Sequence, residues 1–327
     1  MLSANSVSRL EYRDKPGKRP DPGISRWIRS ELSVAPPRAR SLIVTVWGDA
    51  IAPHGGSIWL SSLFHLMAPF GVNERLVRTS VYRLVREGWL AARQDGRRSL
   101  YRLTDQGALR FAHAYQRIYA AAPYEWNGEW EIVVATSATL DSAERAALRK
   151  ELWWEGFRAV SPGLLVRPAR ALSAAIGEIV ASLGVRDVCI LTGRDAGGGH
   201  LQGLSSISRE CWDVDGVSAE YQAFIRRFER AQRALRTTAG AGPEQCFVVR
   251  TLLIHAFRRA SLHDPQLPAQ LLPSDWPGAT AYALCRDVYG MTLQQSERHL
   301  RSLLGAARSN SSAAVLDFHN RFGGVVR

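Results

Sequence analysis

The sequence predicts an α+β protein of several domains. At 327 residues the chain is longer than one ordinary domain. Helical segments precede a predicted hairpin before residue 104, strands alternate with helices from about residue 130, and helical periodicity dominates after Gly203. These observations divide the chain into four parts: residues 1–37, 38–122, 123–203 and 204–327.

Residues 1–37 lack a sustained apolar period and contain the stretches "KPGKRPDPG" and "APP". We therefore expect a basic, mostly flexible arm, with a short helix around Ser25–Leu32.

Residues 38–122 show the order of elements that is typical of a winged helix-turn-helix domain. Apolar residues recur at helical spacing in three segments, and Asn73 is a suitable N-cap for the third. The predicted helices are Ala39–Ala52, Ser57–Ala68, Glu74–Glu87 and, after the hairpin, Thr104–Ala121. Gly88 is well placed to end the third helix, and "WLAAR" and "RSLYRLT" flank a Gln94–Arg97 turn. Gly96 in this turn supplies positive φ without strain, so the segment predicts a hairpin.

The third predicted helix exposes a face that could read DNA bases. A helix fits the major groove, and arginine pairs with two acceptors of guanine, which contributes about 1–3 kcal/mol of discrimination per good contact. The candidates are Arg75, Arg78, Thr79, Tyr82 and Arg83. An arginine-rich face that is merely solvated is the alternative.

The predicted hairpin carries four arginines. Arg97 and Arg98 lie at its tip, where they would contact DNA phosphates and supply affinity that depends on salt. Arg93 and Arg102 are further phosphate candidates, but they could equally brace the hairpin against Asp95 or Asp105.

Residues 123–203 predict a ferredoxin-like βαββαβ domain. The expected elements are a strand at Trp130–Thr136, a helix at Asp141–Trp154, two short strands about Ser161-Pro162-Gly163, a helix at Ala171–Leu183 and a strand at Asp187–Leu191. The stretch "TGRDAGGGH" that follows favours a flexible loop over a phosphate cradle, because it lacks the strand-GxGxxG-helix context.

The part from 204 to 327 predicts helices near 217–237, 244–261, 279–288 and 292–306. Within "RTLLIHAFRRASLHDP", the basic residues His255, Arg258 and Arg259 border an apolar face. This combination suits an anionic ligand with an apolar portion, such as an acyl-CoA, and suits an ordinary amphipathic helix as well.

The net charge of +12 is concentrated near the N-terminus. Residues 1–37 carry +3 and residues 38–119 carry +7, so the remaining 208 residues carry only +2. The asymmetry predicts that the N-terminal part binds a polyanion. Only 3 of the 42 basic residues are lysine, which GC-rich coding explains, but coding bias does not explain the clustering.

The same sequence argues against several other classes of protein. It has no apolar run long enough for a membrane span and no signal-peptide pattern, so we expect a cytoplasmic protein. The four cysteines are far apart, which predicts reduced, mostly buried thiols without a metal site. No GxSxG, HExxH or P-loop motif is present, so we expect neither catalytic residues nor a cofactor.

Three stretches resemble the PaaX family of bacterial transcriptional repressors, the negative regulators of phenylacetic acid degradation. They are "ARSLIVTVWGDAIAPHGGSIWLSSLFHLMAPFGVNERLVRTSVYRLVREGWL", "WNGEWEIVVAT" and "LIHAFRRASLHDPQLPAQLLPSDWPG", and the likeness extends over nearly the whole chain from Arg38. The resemblance implies a homodimer that binds double-stranded DNA at an inverted repeat. It also implies release of the operator by phenylacetyl-CoA, or by another acyl-CoA or aromatic effector.

Two features depart from this family pattern. The arm of residues 1–37 is longer than expected, so its role is open. The central part also resembles the small CRISPR-associated ferredoxin-fold nucleases, which place an acid at the end of their first strand, whereas this chain has Ala135, Thr136 and Ser137. We therefore expect a dimerisation or coupling module there. A nucleic-acid-processing enzyme, or an architectural or RNA-binding protein, is the alternative from another class.

Overall fold

The structure is a computed structural model that describes residues 20–119, 125–135, 140–169, 175–185, 187–195, 203, 211–237, 240–304 and 318–324. The chain divides into two compact units. The first unit comprises residues 1–104, 229–253 and 287–313, and the second comprises residues 105–228, 254–286 and 314–327. Segments that are distant in sequence therefore contribute to each unit.

The first unit begins with four helices and a three-stranded sheet. The helices are α1 (Pro22–Val34), α2 (Ala39–Val46), α3 (Leu60–Met67) and α4 (Glu74–Arg86). The strands are β1 (Ser57–Trp59), β2 (Leu90–Asp95) and β3 (Arg98–Leu103), in the antiparallel order β1-β3-β2. After α2 the helix continues as a π turn and then as a 3-10 turn, which end at His54. The apolar residues that gave the helical periodicity, such as Leu42, Val46 and Ile51, are fully buried.

The prediction that a helix begins at Ser57 is wrong. Residues Ser57–Trp59 form β1, and Ile58 lies opposite Tyr101 of β3. Gly55 and Gly56 turn the chain with φ of 96° and 67°, and the Leu103 amide donates to the carbonyl of Gly56 at 3.0 Å. The backbone groups of this segment therefore pair with a strand some 40 residues away, which overrides the local helical pattern.

Helix α1 is longer than the helix predicted at Ser25–Leu32. Asp21 caps its N-terminus, because the Asp21 carboxylate accepts from the Ile24 amide at 2.8 Å, and Pro22 takes the first helical position. Ile24 is fully buried. Residues 20–34 of the predicted arm therefore belong to the folded first unit, whereas residues 1–19 lie outside the described residues.

A buried ionic network lies inside the first unit. The guanidinium of Arg250, which is 0% exposed, donates to Asp49 Oδ2 at 2.8 Å and to Glu297 Oε1 at 2.7 Å. It also lies 4.7 Å from the centre of the Tyr289 ring. The other oxygen of Glu297 lies 2.8 Å from Nε2 of His54. The first unit thus combines charged residues from the N-terminal helices with others from the C-terminal part of the chain.

The pKa values in this network favour the charged forms. Burial by itself lowers the pKa of Arg250, but the nearby Asp49, Tyr289 and Glu297 raise it above its ordinary value. Burial by itself raises the pKa of Glu297, but the hydrogen bond with His54 and the charge of Arg250 outweigh it and lower this pKa to about 2. A buried charge requires such compensation, because desolvation of an isolated ion is costly.

The second unit contains helix α5 and a four-stranded sheet with two further helices. The helices are α5 (Asp105–Tyr119), α6 (Ser142–Trp154) and α7 (Ala175–Ser182). The strands are β4 (Glu129–Val134), β5 (Arg158–Ser161), β6 (Leu164–Pro168) and β7 (Cys189–Arg194). All pairs are antiparallel in the order β5-β6-β4-β7, so the predicted βαββαβ succession is present. Helix α6 begins with a capping box formed by Asp141 and Glu144.

Both faces of this sheet are covered. On one face Val133, Leu165 and Phe157 pack with Leu148 and Leu152 of α6. On the other face, Trp130 and Val166 of the sheet pack with four apolar residues from the later part of the chain: Trp212, Val214, Leu267 and Leu271. The alternation of strand residues between the two faces accounts for both clusters.

Three long helices follow: α8 (Val214–Thr237), α9 (Pro243–His263) and α10 (Gly278–Leu304). The prediction of separate helices at 279–288 and 292–306 is wrong, because α10 is continuous. Gly290 is tolerated within it, and the Thr292 hydroxyl donates back to the carbonyl of Val288 at 2.9 Å. No helix of the described ranges has the length and apolar character required to cross a membrane. Cys246 and Cys285 are buried, as expected, whereas Cys189 is exposed.

Candidate nucleic-acid interface

Helix α4 presents the predicted base-reading residues to solvent. Its N-terminus is capped as expected, since the Asn73 side chain accepts from the Leu76 amide at 3.0 Å. Val77 and Val81 are fully buried and hold one face of the helix against the domain. All five base-reading candidates are exposed on the remaining surface: Arg75, Arg78, Thr79, Tyr82 and Arg83.

The side chains on this exposed face differ in their surroundings. Arg78 lies 4.8 Å above the Phe64 ring and 3.5 Å from a carboxylate oxygen of Glu74. The Thr79 hydroxyl donates to the carbonyl of Arg75 at 2.9 Å. Tyr82 is 62% exposed, which is unusual for an aromatic residue without a partner surface to cover it. The face therefore offers three guanidinium groups, a phenol and a methyl-bearing side chain, which are all groups that contact base edges.

The predicted hairpin is present, with Gly96 and Arg97 as its two loop residues. Gly96 has φ of 57°, and Asp95 and Arg98 form the last cross-strand pair. The side-chain nitrogen of Gln94 donates to the carbonyl of Gly96 at 2.9 Å, and the Ser99 hydroxyl donates to the side-chain oxygen of Gln94 at 3.0 Å. These side-chain bonds hold the tip of an otherwise exposed hairpin in one conformation.

All four hairpin arginines are exposed: Arg93, Arg97, Arg98 and Arg102. Arg98 lies 3.9 Å above the ring of Trp59, so its guanidinium stacks on β1. Within the described residues neither Arg93 nor Arg102 forms an ion pair with Asp95 or Asp105.

Helix α4 and the hairpin belong to the same compact unit, and the chain passes directly from one to the other. Gly88 has φ of 75°, and its amide donates to the carbonyl of Val85 at 3.0 Å, which ends α4 as the sequence predicts. The Trp89 backbone amide then donates to the carbonyl of Leu84, and β2 begins at Leu90. Eight exposed arginines, Arg86 among them, and the exposed Tyr82 therefore lie on α4 and the hairpin that follows it.

The predicted effector residues lie in the second unit, on α9. His255 and Arg258 are half-buried, whereas Arg259 is exposed and donates to Glu220 at 3.1 Å. Burial and the charges of Arg258, Arg227 and Arg259 lower the pKa of His255 to about 4. Burial likewise lowers the pKa of Arg258. His255 is therefore neutral at pH 7 and lies in a region of positive potential.

Three residues of these sites were not identified from the sequence: Trp59, Phe64 and Arg227. Trp59 lies opposite Leu100 in the sheet, which makes Arg98 its diagonal neighbour on the same face. That signal was available only once β1 was known to be a strand. Arg227 lies on α8, and no local pattern relates it to His255 on α9.

Family models match three consecutive parts of the chain. A model described as PaaX-like protein matches residues 38–107, one described as the PaaX protein central Cas2-like domain matches residues 123–204, and one described as the PaaX-like protein C-terminal domain matches residues 212–302. The matched residues amount to well over half of the chain.

Two individual proteins are also similar. The transcriptional repressor PaaX of Escherichia coli strain K12 is 36% identical over 268 residues, which cover 81% of this chain and 84% of the relative. The solved structure of the uncharacterized protein Rv0674 from Mycobacterium tuberculosis is 27% identical, covers 80% of this chain and 97% of its own, and has a TM-score of 0.49. The family matches and the identity to the Escherichia coli repressor show that this chain belongs to the PaaX family, a family of transcriptional repressors rather than enzymes.

Proposed function

We propose that residues 38–104 form a winged helix-turn-helix, with α4 as recognition helix and the β2–β3 hairpin as wing. The observation that carries this proposal is the exposed arginine face of α4, followed directly by an arginine-bearing hairpin whose second strand, β3, pairs with β1. The short turn between α3 and α4 supports it, because Gly71 takes φ of 73° and Asn73 caps the next helix.

In this proposal the two elements divide the contacts with DNA. Arg75, Arg78, Thr79, Tyr82 and Arg83 contact base edges in the major groove, which determines the sequence preference. Arg93, Arg97, Arg98 and Arg102 contact phosphates, which supplies affinity without reading sequence.

The protein then represses phenylacetate-degradation genes in the cytoplasm as a homodimer. Two recognition helices of a dimer occupy successive major grooves of an inverted repeat about one helical turn apart. The support for this step is the 36% sequence identity to the transcriptional repressor PaaX of Escherichia coli. The central domain, whose βαββαβ order and antiparallel sheet suit a ferredoxin-like fold, serves as a dimerisation or coupling module.

Phenylacetyl-CoA, or another acyl-CoA with an aromatic group, is the proposed effector. His255, Arg258 and Arg259 are its candidate contacts, and we add Arg227 because its charge lowers the pKa of His255. The positive potential at His255 suits the phosphates of coenzyme A, and the buried aromatic Phe257 is on the same helix. An effector shifts the protein away from DNA only if it binds the DNA-free state more tightly.

A gel shift of the protein on the duplex upstream of its own gene tests the function. We expect a discrete complex that survives an excess of random duplex and that disappears on addition of phenylacetyl-CoA. A panel of aryl-acetyl-CoA thioesters then ranks the effectors. Loss of the complex in an excess of random duplex would refute the repressor proposal. A complex that persists in the presence of every thioester would refute only the proposed effector.

The effector site has its own test, because an anion close to His255 raises the pKa of that imidazole. We expect NMR titration to show this increase on addition of phenylacetyl-CoA, and to show a smaller one in Arg258→Gln. Arg226→Gln, which changes an exposed arginine of α8, is the matched control. An unchanged pKa of His255 at a saturating effector concentration places the ligand elsewhere.

A further inference from the structure

Trp59 and Phe64 are two half-buried aromatic residues within one short stretch of the first unit. Trp59 ends β1 and is the N-cap residue of α3, and Phe64 lies in the second turn of that helix. Their neighbours Ile58 and Leu63 are fully buried. These neighbours hold the stretch in the core, so both aromatic rings have defined positions at the surface of the unit.

Each ring contacts one arginine from a different element. The guanidinium carbon of Arg98, at the start of β3, lies 3.9 Å from the centre of the Trp59 ring. The guanidinium carbon of Arg78, on α4, lies 4.8 Å from the centre of the Phe64 ring. Both distances are within the range of an attractive cation–π contact. The two rings therefore support one arginine of the proposed wing and one of the proposed recognition helix.

An arginine that lies on an aromatic ring keeps its hydrogen-bond donors for other partners. The ring covers the face of the planar guanidinium, whereas the N–H groups point outward in its plane. Within the described residues Arg98 forms no ion pair, and Arg78 has one nitrogen 3.5 Å from Glu74. Arg40 differs, because its guanidinium donates to the carboxylate of Glu87.

The fold explains why one stretch can support both elements. β1 pairs with β3, which makes Arg98 the diagonal neighbour of Trp59 on the same face of the sheet. The chain then enters α3, which packs against α4 and brings Phe64 to Arg78. Residues 59–64 therefore link the position of an arginine of the hairpin to that of an arginine of α4.

We propose that Trp59 and Phe64 are positioning residues for DNA binding. Trp59 holds Arg98 for a phosphate contact, and Phe64 holds Arg78 for a contact with a base edge. The inference rests on the proposed function, because it requires that both arginines contact DNA. A free arginine side chain loses rotamer freedom when an interface immobilises it, and a ring that already restricts the side chain reduces this loss.

Double-mutant cycles test whether each ring acts through its arginine. Trp59→Leu should weaken binding to the upstream duplex and to random duplex alike, by the two- to fivefold that corresponds to about one exposed cation–π contact. Phe64→Leu should weaken binding to the upstream duplex by a similar factor and should leave binding to random duplex unchanged. Neither change should have a further effect when Arg98→Ala or Arg78→Ala, respectively, is already present. Fluorescence anisotropy measures all the affinities.

Conservative variants separate the positioning role from a role in packing. Trp59→Phe and Phe64→Tyr keep an aromatic face, and both should bind more tightly than the corresponding leucine variants. A leucine variant that loses as much affinity in the absence of its arginine as in its presence acts through the fold, and this result overturns the inference.

NMR of the parent protein gives a second measurement that needs no change of either ring. A proton above an aromatic ring is shifted upfield, so the side-chain δ protons of Arg98 and Arg78 should show such shifts in the free protein and in the complex with DNA. Arg98→Ala and Arg78→Ala assign the signals. Ordinary shifts in the complex overturn the inference alone, whereas equal affinity of the parent for the upstream and random duplexes overturns the proposed function.

Discussion

Arg97 and Arg98 are neighbours at the hairpin tip, but the structure gives them different surroundings. Arg98 stacks on Trp59 at 3.9 Å, whereas Arg97 is an exposed loop residue. Replacement of Arg98 by alanine removes a cation–π contact of about 0.5–1 kcal/mol together with any phosphate contact. Arg97 is therefore the cleaner probe of the proposed wing, and Arg78 serves as the probe of the proposed recognition helix.

The first prediction separates these two roles. Arg97→Ala should weaken binding to all duplexes equally and reduce the salt slope by about 0.9, because it removes one phosphate contact. Arg78→Ala should cost about 1–3 kcal/mol on the operator and much less on random duplex. Fluorescence anisotropy on both duplexes measures the difference. Equal losses on both duplexes for both variants would contradict the division of contacts.

The second prediction concerns the pH dependence of stability. The pKa of His255 is about 4 in the folded protein, below its ordinary value of 6.5, so the unfolded chain binds this proton more readily. Stability is therefore fully present above pH 6.5 and is lost as the pH falls towards 4. Linkage gives a loss of about 2 kcal/mol at pH 5 from this group. Urea unfolding at pH 7 and pH 5 should show this loss in the parent and a smaller one in His255→Gln; equal losses would refute it.

Much of the candidate site was predictable at the residue scale, because the relevant signals are local. The Asn73 cap and the exposure of the α4 arginines follow from spacing within one helix. The stacking of Arg98 on Trp59 was not predictable, since it depends on the pairing of β1 with β3. The relation of Arg227 to His255 depends in the same way on the packing of two helices.

At the scale of elements, the predictions are correct where local interactions determine the structure and wrong where contacts distant in sequence determine it. The hairpin, α4 and α6 carry their own turn and cap residues, and they lie close to their predicted bounds. β1 has only three residues and exists because β3 supplies its partners. A helical pattern of apolar residues that continues through a short strand cannot reveal such a partner.

The third prediction tests the docking of α1. The side-chain oxygen of Gln245 accepts from the amides of Asp21 and Gly242 at 2.9 Å each, and its side-chain nitrogen donates to the Asp21 carbonyl at 2.8 Å. Gln245→Ala leaves these backbone groups without their partner. Unmade buried hydrogen bonds cost about 1–3 kcal/mol, so the free energy of unfolding should fall by that amount. Gln222→Ala, on the exposed face of α8, is the matched control and should change little. Equal urea midpoints for both variants would show that the docking of α1 does not depend on the Gln245 side chain.

At the scale of the whole molecule, the compact units differ from the linear order of the predicted parts. The first unit unites residues 1–104 with residues 229–253 and 287–313. The buried ionic network around Arg250 accounts for part of this combination, because Arg250 binds both Asp49 and Glu297 inside that unit. A linear pattern of elements predicts their order, but it does not show which buried charges will meet.

The fourth prediction tests this network. Arg250→Leu leaves the carboxylates of Asp49 and Glu297 buried without their cation, and should lower the free energy of unfolding by about 3–5 kcal/mol. Arg259→Leu breaks the exposed pair with Glu220 and should cost no more than about 1 kcal/mol. Urea denaturation of both variants measures the two losses in the free energy of unfolding. A loss in Arg250→Leu as small as that in Arg259→Leu would show that the network does not stabilise the first unit.

The central claim is that this chain reads DNA sequence through α4. The most direct measurement is the ratio of its affinities for the duplex upstream of its own gene and for a random duplex of equal length at physiological salt. Sequence-specific regulators bind their sites at least about 10³-fold more tightly than random DNA, and we expect a ratio of that order. Replacement of Arg75, Arg78 and Arg83 together by alanine should bring the ratio close to one. Equal affinity of the parent chain for both duplexes would contradict the claim.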